Sequence, residues 1–399
     1  MTVELRPLGV LCNIACRYCY QDPQRKCESA KNLYNIDVMK NVLEREGGGP
    51  FSLFGGEPLL VPDQDLEELW SWGYRQFGSN TVQTNGTTIR DSHIRMFKEY
   101  GVRVGISIDG PGELNDLRWA GSLAATRNAT AKTEAAIERL CANGVIPSVI
   151  ITLHRVNAHA SKLSTMDGWL RRLDVLGVRH ARLHIMESES TSIRDAYSLS
   201  AREYREAFLH FAGLEPTFTQ LRFDVFSDMR KMLLGHDDAT CIWLGCDPYT
   251  TSSVLGIEGQ GQLSNCGRTN KDGVNFVKGD LRGYERYLAL YHTPQNYGGC
   301  AGCKFFLMCK GQCPGTAIDG DWRNRSEHCE VWKGLYEFFE QELIASDQMP
   351  ISISPIRKYL EEQMLEAWIT GNNPKLENLL EGCNLSATPT TIAPNNSQA

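Results

Sequence analysis

Little in this chain invites a membrane or a polyanion. No uninterrupted run of about 18 apolar residues occurs, and the opening Met1-Thr2-Val3-Glu4-Leu5-Arg6-Pro7 lacks the apolar core of an export signal. Surplus positive charge is missing too. Lys and Arg number 41 against 48 Asp and Glu, a net charge of −7, which argues against broad contact with nucleic acid or anionic lipid. These absences point to a cytoplasmic globular protein with neither a nucleic-acid nor a membrane partner. At 399 residues the chain can bury a large core and exceeds one ordinary domain.

Cysteine is what the chain has in excess. Fourteen cysteines without an export signal favour metal ligation over disulfides. Cys12, Cys16 and Cys19 fall within eight residues, eight more lie between Cys241 and Cys329, and Cys27, Cys141 and Cys383 stand alone. The first three form C-x3-C-x2-C. A [4Fe–4S] cluster is held by four thiolates, so three leave one iron open to a ligand from outside the protein. A zinc site would instead show four ligands, usually with C-x2-C pairs.

Along the first half, short apolar runs alternate with amphipathic stretches, the pattern of parallel βα units. Strands are predicted at 3–10, 51–54, 81–83, 103–108, 147–153 and 181–186, with helices at 36–46, 65–77, 91–100, 131–143 and 162–176. In parallel barrels the chemistry gathers at the carboxyl ends of the strands. There the chain places Gly55-Gly56-Glu57-Pro58 after the second strand, Gln83-Thr84-Asn85-Gly86 after the third and Ser107-Ile108-Asp109-Gly110 after the fourth. Glycines let a backbone approach a ligand closely, and the hydroxyl and amide after the third strand suit a ribose or a carboxylate. Arg118 and Arg127 follow the fourth strand as anion partners or solvated charges, and Glu187 and Glu189 follow the sixth. Taken singly, each is an ordinary polar turn or surface charge; in register with the cysteine loop they form a set. His154, His159, His180 and His184 have no companion ligand pattern and are assigned to structure.

Residues 191–240 read as helical. Then come Cys241, a C-x14-G-x4-C run over Cys246, Gly261 and Cys266, a C-x2-C-x5-C-x3-C run over Cys300, Cys303, Cys309 and Cys313, and Cys329. Residues 252–257 and 261–263 suggest a small hairpin, and 331–369 return to helical periodicity. From about residue 371 the composition turns polar, as in a disordered tail.

The cysteine loop, with the aromatic Tyr18 just before its last cysteine and the Gly-Gly-Glu-Pro and other strand-end motifs in order behind it, resembles the radical S-adenosylmethionine (radical SAM) superfamily. That resemblance implies an α/β fold, an incomplete (β/α)6 barrel, and SAM chelated to the open iron through its amino and carboxylate groups. Cys12, Cys16 and Cys19 would then be the catalytic cluster ligands. SAM would be contacted by Tyr18, Gly55, Gly56, Glu57, Pro58, Thr84, Asn85, Ser107, Arg118 and Arg127. The later cysteine order resembles the SPASM domain of radical SAM enzymes that modify peptides and proteins. By that resemblance Cys246, Cys266 and Cys313 hold a first auxiliary [4Fe–4S] cluster, with Cys241 or an open iron completing it. Cys300, Cys303, Cys309 and Cys329 hold a second.

The implied organisation is a barrel at 1–190, a helical bridge at 191–240, an auxiliary-cluster domain at 241–345, a C-terminal helix at 346–370 and a disordered tail at 371–399. The implied enzyme carries three [4Fe–4S] clusters, cleaves SAM to a 5′-deoxyadenosyl radical and abstracts hydrogen from a peptide or protein substrate, with Asp109, Glu187 or Glu189 as base. Its partner would be an electron donor such as a flavodoxin or ferredoxin; because the first strand is predicted so near Met1, a separate leader-binding protein, direct recognition by the barrel mouth and a non-peptide substrate are all open. A small-molecule dehydrogenase or epimerase and a non-catalytic electron carrier are the alternatives.

Overall fold

A nine-stranded sheet organises the residues described by the computed structural model, 2–26, 33–247, 254–269 and 283–386. Strands β1 (Thr2–Arg6), β2 (Phe51–Leu53), β3 (Asn80–Thr84), β4 (Val102–Ser107), β5 (Ser148–Leu153) and β6 (His180–Ile185) lie in chain order, each parallel to the next. Sequential order with helical crossovers winds a sheet in one direction, as in a barrel, whereas a doubly wound sheet reverses its order. Since β1 and β6 do not pair, the arc stays open: the incomplete (β/α)6 barrel that the sequence predicts.

The alternation along each strand fixes which face is which. Val82, Val149, Ile151, Leu153, Leu183 and Ile185 are buried in the core with helix residues such as Leu69, Phe97, Ile137 and Leu170. Gln83, Thr152, Arg182 and His184, one residue out of phase, are half-buried on the other face. A parallel sheet covered equally on both sides would be apolar on both; this one keeps a polar side.

Both ends of the arc are extended by segments from later in the chain. Strand β7 (Arg222–Phe223), within the segment read as a helical bridge, pairs with β6. Strand β8 (Val254–Glu258) pairs in parallel with β1 and folds back antiparallel onto β9 (Leu263–Ser264). The predicted hairpin is therefore part of the barrel sheet, covering a β1 edge whose backbone groups would otherwise lack partners. Residues 252 and 253 of that prediction lie outside the described residues, as does Cys27.

Helices Ile36–Arg45, Asp63–Phe77, Asp91–Glu99 and Leu163–Val175 start and stop close to expectation. The helix expected at 131–143 runs instead over Leu123–Ala142, capped by the Ser122 hydroxyl, which accepts from the Ala125 N–H at 3.1 Å. Its inner face begins with Thr126, Thr130 and Thr133, all buried, and hydroxyl-bearing residues hide the apolar period. Helix Cys329–Ala345 packs on Ala201–Leu214 and Asp224–Leu233, with the Phe208–Trp332 and Phe226–Phe339 ring centroids 5.4 Å apart. The tail expected from residue 371 is helical over Leu376–Ser386, after helix Arg357–Ile369; its remainder, 387–399, lies outside the described residues. Leu376 is buried, its N–H donates to Asp237 at 2.7 Å, and Leu379 and Leu380 join the core. Three leucines at helical spacing outweigh the polar residues around them. No helix among the described residues is long and apolar enough to cross a membrane.

Candidate cluster and cofactor site

The loop that follows β1 carries Cys12, Cys16 and Cys19 and is held from two sides. Gly56 donates its N–H to Gly9 at 2.9 Å and Glu57 donates to Leu11 at 2.8 Å; opposite, Ala15 donates to Trp119 at 2.7 Å and Arg17 to Leu117 at 2.8 Å. The Arg17 guanidinium lies over the Trp119 ring at 4.3 Å. A Cβ on Gly56 would fall 2.0 Å from the Leu11 oxygen and one on Gly55, at φ +124°, would fall 2.2 Å from the Gly9 oxygen. The structure shows these glycines making a close approach to the cysteine loop itself.

Glu57 also differs from expectation. It is buried, and its carboxylate accepts from the Leu59 N–H at 3.0 Å, the Thr84 hydroxyl at 2.7 Å and the Asn85 N–H at 2.8 Å. Burial pushes this carboxyl upward, and the Asn85, Thr84 and Leu59 hydrogen bonds oppose that shift. Glu57 and Thr84 thereby fasten the end of β3 to the turn beside the cysteine loop, and Pro58 is buried at the start of that turn. Asn85 is the member of the motif whose side chain reaches the thiols. Its Nδ2 donates to Asn13 at 2.8 Å and lies 3.8 Å from the Cys12 sulfur, while its backbone oxygen accepts from the Thr133 hydroxyl at 2.8 Å.

Beneath the loop lies a buried polar network. Asp109, fully buried, accepts from the Tyr18 hydroxyl and from the Thr152 N–H at 3.0 Å, and stands 3.4 Å from His154 Nε2 and 3.8 Å from Arg118. Arg118 donates in turn to the Tyr18 oxygen at 3.1 Å. Burial alone would raise the Asp109 carboxyl, but the His154 hydrogen bond and the Arg118 charge hold it below the usual range. Asp109 is therefore held as a carboxylate, engaged on all sides by its neighbours. Tyr18 is buried against Leu117 and Met186, and its hydroxyl is engaged by Asp109 and Arg118. The Arg118 charge acts on the neighbouring Cys16 thiol. Burial pushes the Cys16 thiol up to about 12, with Arg118 opposing and Cys19 and Cys12 adding to the rise. Ser107 accepts from Gln83 at 2.8 Å on the polar face of the sheet.

Two predicted residues lie elsewhere or are already engaged. Arg127 is exposed and forms a two-point ion pair with Asp116, a surface arrangement. Glu187 is held by Arg268 through Nε at 3.1 Å and through Nη2. Because Arg268 lies two residues past Cys266, this pair ties the carboxyl end of β6 to the C-terminal cysteine region. Glu189 is exposed. His184 sits nearby, driven far below its usual range by burial and by the Arg268 and Arg182 charges, so it is neutral, in keeping with a structural assignment. Missed entirely was Arg25, whose guanidinium donates to the Cys19 sulfur and to the Ile14 oxygen.

The C-terminal cysteines fall into two electrostatically linked groups. Cys241 is influenced by Cys313 and Cys246, and Cys266 by Cys313 and Cys241. Cys309 is influenced by Cys329, Cys300 and Cys303. The second four line a small pocket together with Trp332 and Tyr336. Cys329 opens helix Cys329–Ala345. Between the groups, Lys310, Gly311 and Gln312 are all left-handed, at φ 47°, 73° and 60°, a turn that sends Cys313 away from Cys309. Every cysteine whose side chain is described is a free thiol. Among the described residues no three His, Cys, Asp or Glu side chains converge as they would on a single metal ion; by number and donor type the four thiols of each group match a [4Fe–4S] cluster.

Comparison with known proteins agrees with this arrangement. The family model "Radical SAM superfamily" matches residues 7–160. Over 212 residues the chain is 29% identical to the serine-type anaerobic sulfatase-maturating enzyme of Klebsiella aerogenes, covering half of each chain. This match thus spans about half the length of that relative. It is 22% identical over 385 residues to the serine-type anaerobic sulfatase-maturating enzyme of Bacteroides thetaiotaomicron, covering 85% of this chain and 88% of the other. An uncharacterized protein of Synechocystis sp., sll1766, is 30% identical over 351 residues, 79% of this chain and 83% of the other. Among solved structures, native anSMEcpe with bound AdoMet and Cp18Cys peptide superposes with a TM-score of 0.64 at 20% identity, over 86% of this chain and 98% of that one. Streptococcus suis SuiB bound to precursor peptide SuiA gives 0.51 at 12% identity, over 82% and 75%. With its three-cysteine loop, its open barrel and the SPASM order of its later cysteines, the chain belongs to the radical SAM superfamily.

Proposed function

We propose that this chain is a radical SAM enzyme that modifies a peptide or protein by hydrogen abstraction, using one SAM-binding [4Fe–4S] cluster and two auxiliary clusters. The observation that carries the reading is how the two cysteine regions meet: β8 lies beside β1, whose end leads into the three-cysteine loop, and Arg268 closes on Glu187 at the end of β6. A C-terminal region that caps the mouth of the barrel suits an enzyme whose substrate must be enclosed above SAM; a plain electron carrier has no use for that enclosure. One relative aligned over most of the chain is a serine-type anaerobic sulfatase-maturating enzyme, and neighbours in fold were solved with peptides. Both support a peptide substrate.

When bound, the cluster and SAM supply a 5′-deoxyadenosyl radical. Cys12, Cys16 and Cys19 would hold that cluster, with Arg25 and Asn85 donating hydrogen bonds toward its sulfurs. The backbone of Gly55 and Gly56, Ser107, Arg118 and the Tyr18 backbone would position SAM. Glu57, Thr84 and Asp109 act behind them as positioning residues. Cys241, Cys246, Cys266 and Cys313 would hold the first auxiliary cluster, and Cys300, Cys303, Cys309 and Cys329 the second. Water exclusion falls to the region around Arg268, since a radical must be kept from side reactions.

The test is anaerobic reconstitution of the full chain with iron, sulfide, SAM and a strong reductant, followed by 5′-deoxyadenosine measurement with and without candidate peptides. Deoxyadenosine that rises with a peptide, together with a mass change in that peptide, supports the reading. Deoxyadenosine that rises only with small sugars or amines overturns its peptide part, and none at all overturns the enzyme.

A further inference from the structure

Arg286 is a buried charge that the cysteines around it do not explain at first sight. It lies on helix Glu285–His292 and is fully buried, and among the described residues no carboxylate pairs with it. An uncompensated charge in such surroundings is costly. Its guanidinium donates to four backbone oxygens: Nε to Trp322, Nη1 to Gly245 at 2.9 Å and Lys310 at 3.0 Å, and Nη2 to Asn324 at 2.9 Å. These bonds engage four of the five N–H groups but leave the positive charge in place.

Two of the four acceptors identify what balances it. Gly245 directly precedes Cys246, of the first auxiliary group, and Lys310 directly follows Cys309, of the second. Lys310 also opens the left-handed turn that separates Cys309 from Cys313. The two backbones touch, since a Cβ on Gly245 would lie 2.4 Å from the Lys310 oxygen. The guanidinium thus occupies the seam between the groups, and the negative groups acting on it include Cys246, Cys313 and Cys300, drawn from both.

We propose that Arg286 is the shared counter-ion of the two auxiliary cysteine groups and that it raises the reduction potential of the cluster in each. The inference rests on the two-cluster reading given above. A cluster held by thiolates is anionic and gains one further negative charge when it accepts an electron, with no proton transferred. A fixed cation in a low-dielectric seam favours the reduced form of both.

The test uses the full chain with Cys12, Cys16 and Cys19 all changed to Ala, so that iron loads the C-terminal groups alone. Its clusters are titrated anaerobically against potential and followed by electron paramagnetic resonance, with Arg286 intact, as R286K and as R286Q. R286Q is expected to lower both midpoints by a tenfold or larger change in the one-electron reduction equilibrium, about 59 mV, while R286K, which keeps the charge, stays within about threefold of the parent, roughly half that shift. R286Q loaded with both clusters at unshifted midpoints, or with one midpoint shifted alone, overturns the proposal. Should R286Q fail to load, R286K decides: both clusters present at parental midpoints supports the charge role, and failure to load overturns it by showing that the hydrogen-bonding fork is what counts. A parent variant without auxiliary-cluster signals overturns the cluster reading itself, and the proposal with it.

Discussion

The two cysteine regions are built on opposite principles. The three-cysteine loop is held by the barrel: Gly56, Glu57, Leu117 and Trp119 fix its backbone, and the Asp109 network lies under it. The eight-cysteine region has a short two-stranded hairpin, a strained left-handed turn and a buried arginine that bonds to carbonyls. The first is fixed by hydrogen bonds to the barrel, while on the proposed reading part of the second's stability would come from the clusters it binds. The lesson is that cysteine spacing alone does not say whether protein holds metal in place or metal holds protein.

The largest expected effect sharpens the first half of that comparison. Replacing Gly56 with Ala puts a methyl group 2.0 Å from the Leu11 oxygen and must displace the cysteine loop. SAM cleavage is expected to fall by about 100-fold or more, equivalent to a barrier about 2.7 kcal/mol higher. Auxiliary-cluster signals should persist, as checked by deoxyadenosine assay and spectroscopy of the same sample. Next comes stability. Cys309→Ala is expected to lower the thermal midpoint markedly and to halve the iron in the C-terminal region, whereas Cys16→Ala abolishes SAM cleavage with a midpoint close to that of the unaltered chain. Equal losses of midpoint in both would erase the distinction.

Asp109→Asn leaves Arg118 buried without its carboxylate, a change that typically costs about 3–5 kcal/mol; part of this is screened here because the pair is 3.8 Å apart. Denaturant unfolding measures it, and a loss below about 1 kcal/mol would deny Asp109 its role as hub. The smallest effect lies far from both clusters. Asp174 accepts from the N–H groups of Thr219, Gln220 and Leu221 at 2.7–2.9 Å. Burial raises its carboxyl, but these three bonds prevail and hold it below the usual range. Its contribution is therefore fully present above the unfolded value of about 3.9 and is lost as pH falls through the lower folded value. Asp174→Asn should cost about 1–3 kcal/mol at pH 7, and the difference from the unaltered chain should shrink below about pH 4.

The barrel was legible because its strands alternate with helices whose apolar period is clear, as at Met39, Val42 and Leu43. It failed where burial is polar or where apolar residues serve a loop. Thr126, Thr130 and Thr133 concealed the first turns of a helix, and Leu8, predicted as strand, packs against the core from the loop that begins at Pro7. The cysteine groups were legible from spacing. What each neighbouring residue does was not, because a motif names residues without saying which atoms turn inward. Glu57 and Asp109 face backbone N–H groups, Arg127 faces Asp116, and Glu187 is captured by Arg268 from 81 residues downstream. Arg286 did leave a trace: it is a lone charge beside Tyr287 and Leu290 on the buried side of its helix.

The most direct measurement counts iron and sulfide in the anaerobically reconstituted chain and in the variant with Cys12, Cys16 and Cys19 all changed to Ala, alongside SAM cleavage. The account expects three clusters falling to two, with SAM cleavage reduced to background. Unchanged cleavage in the triple variant, or an unchanged iron count, would contradict it.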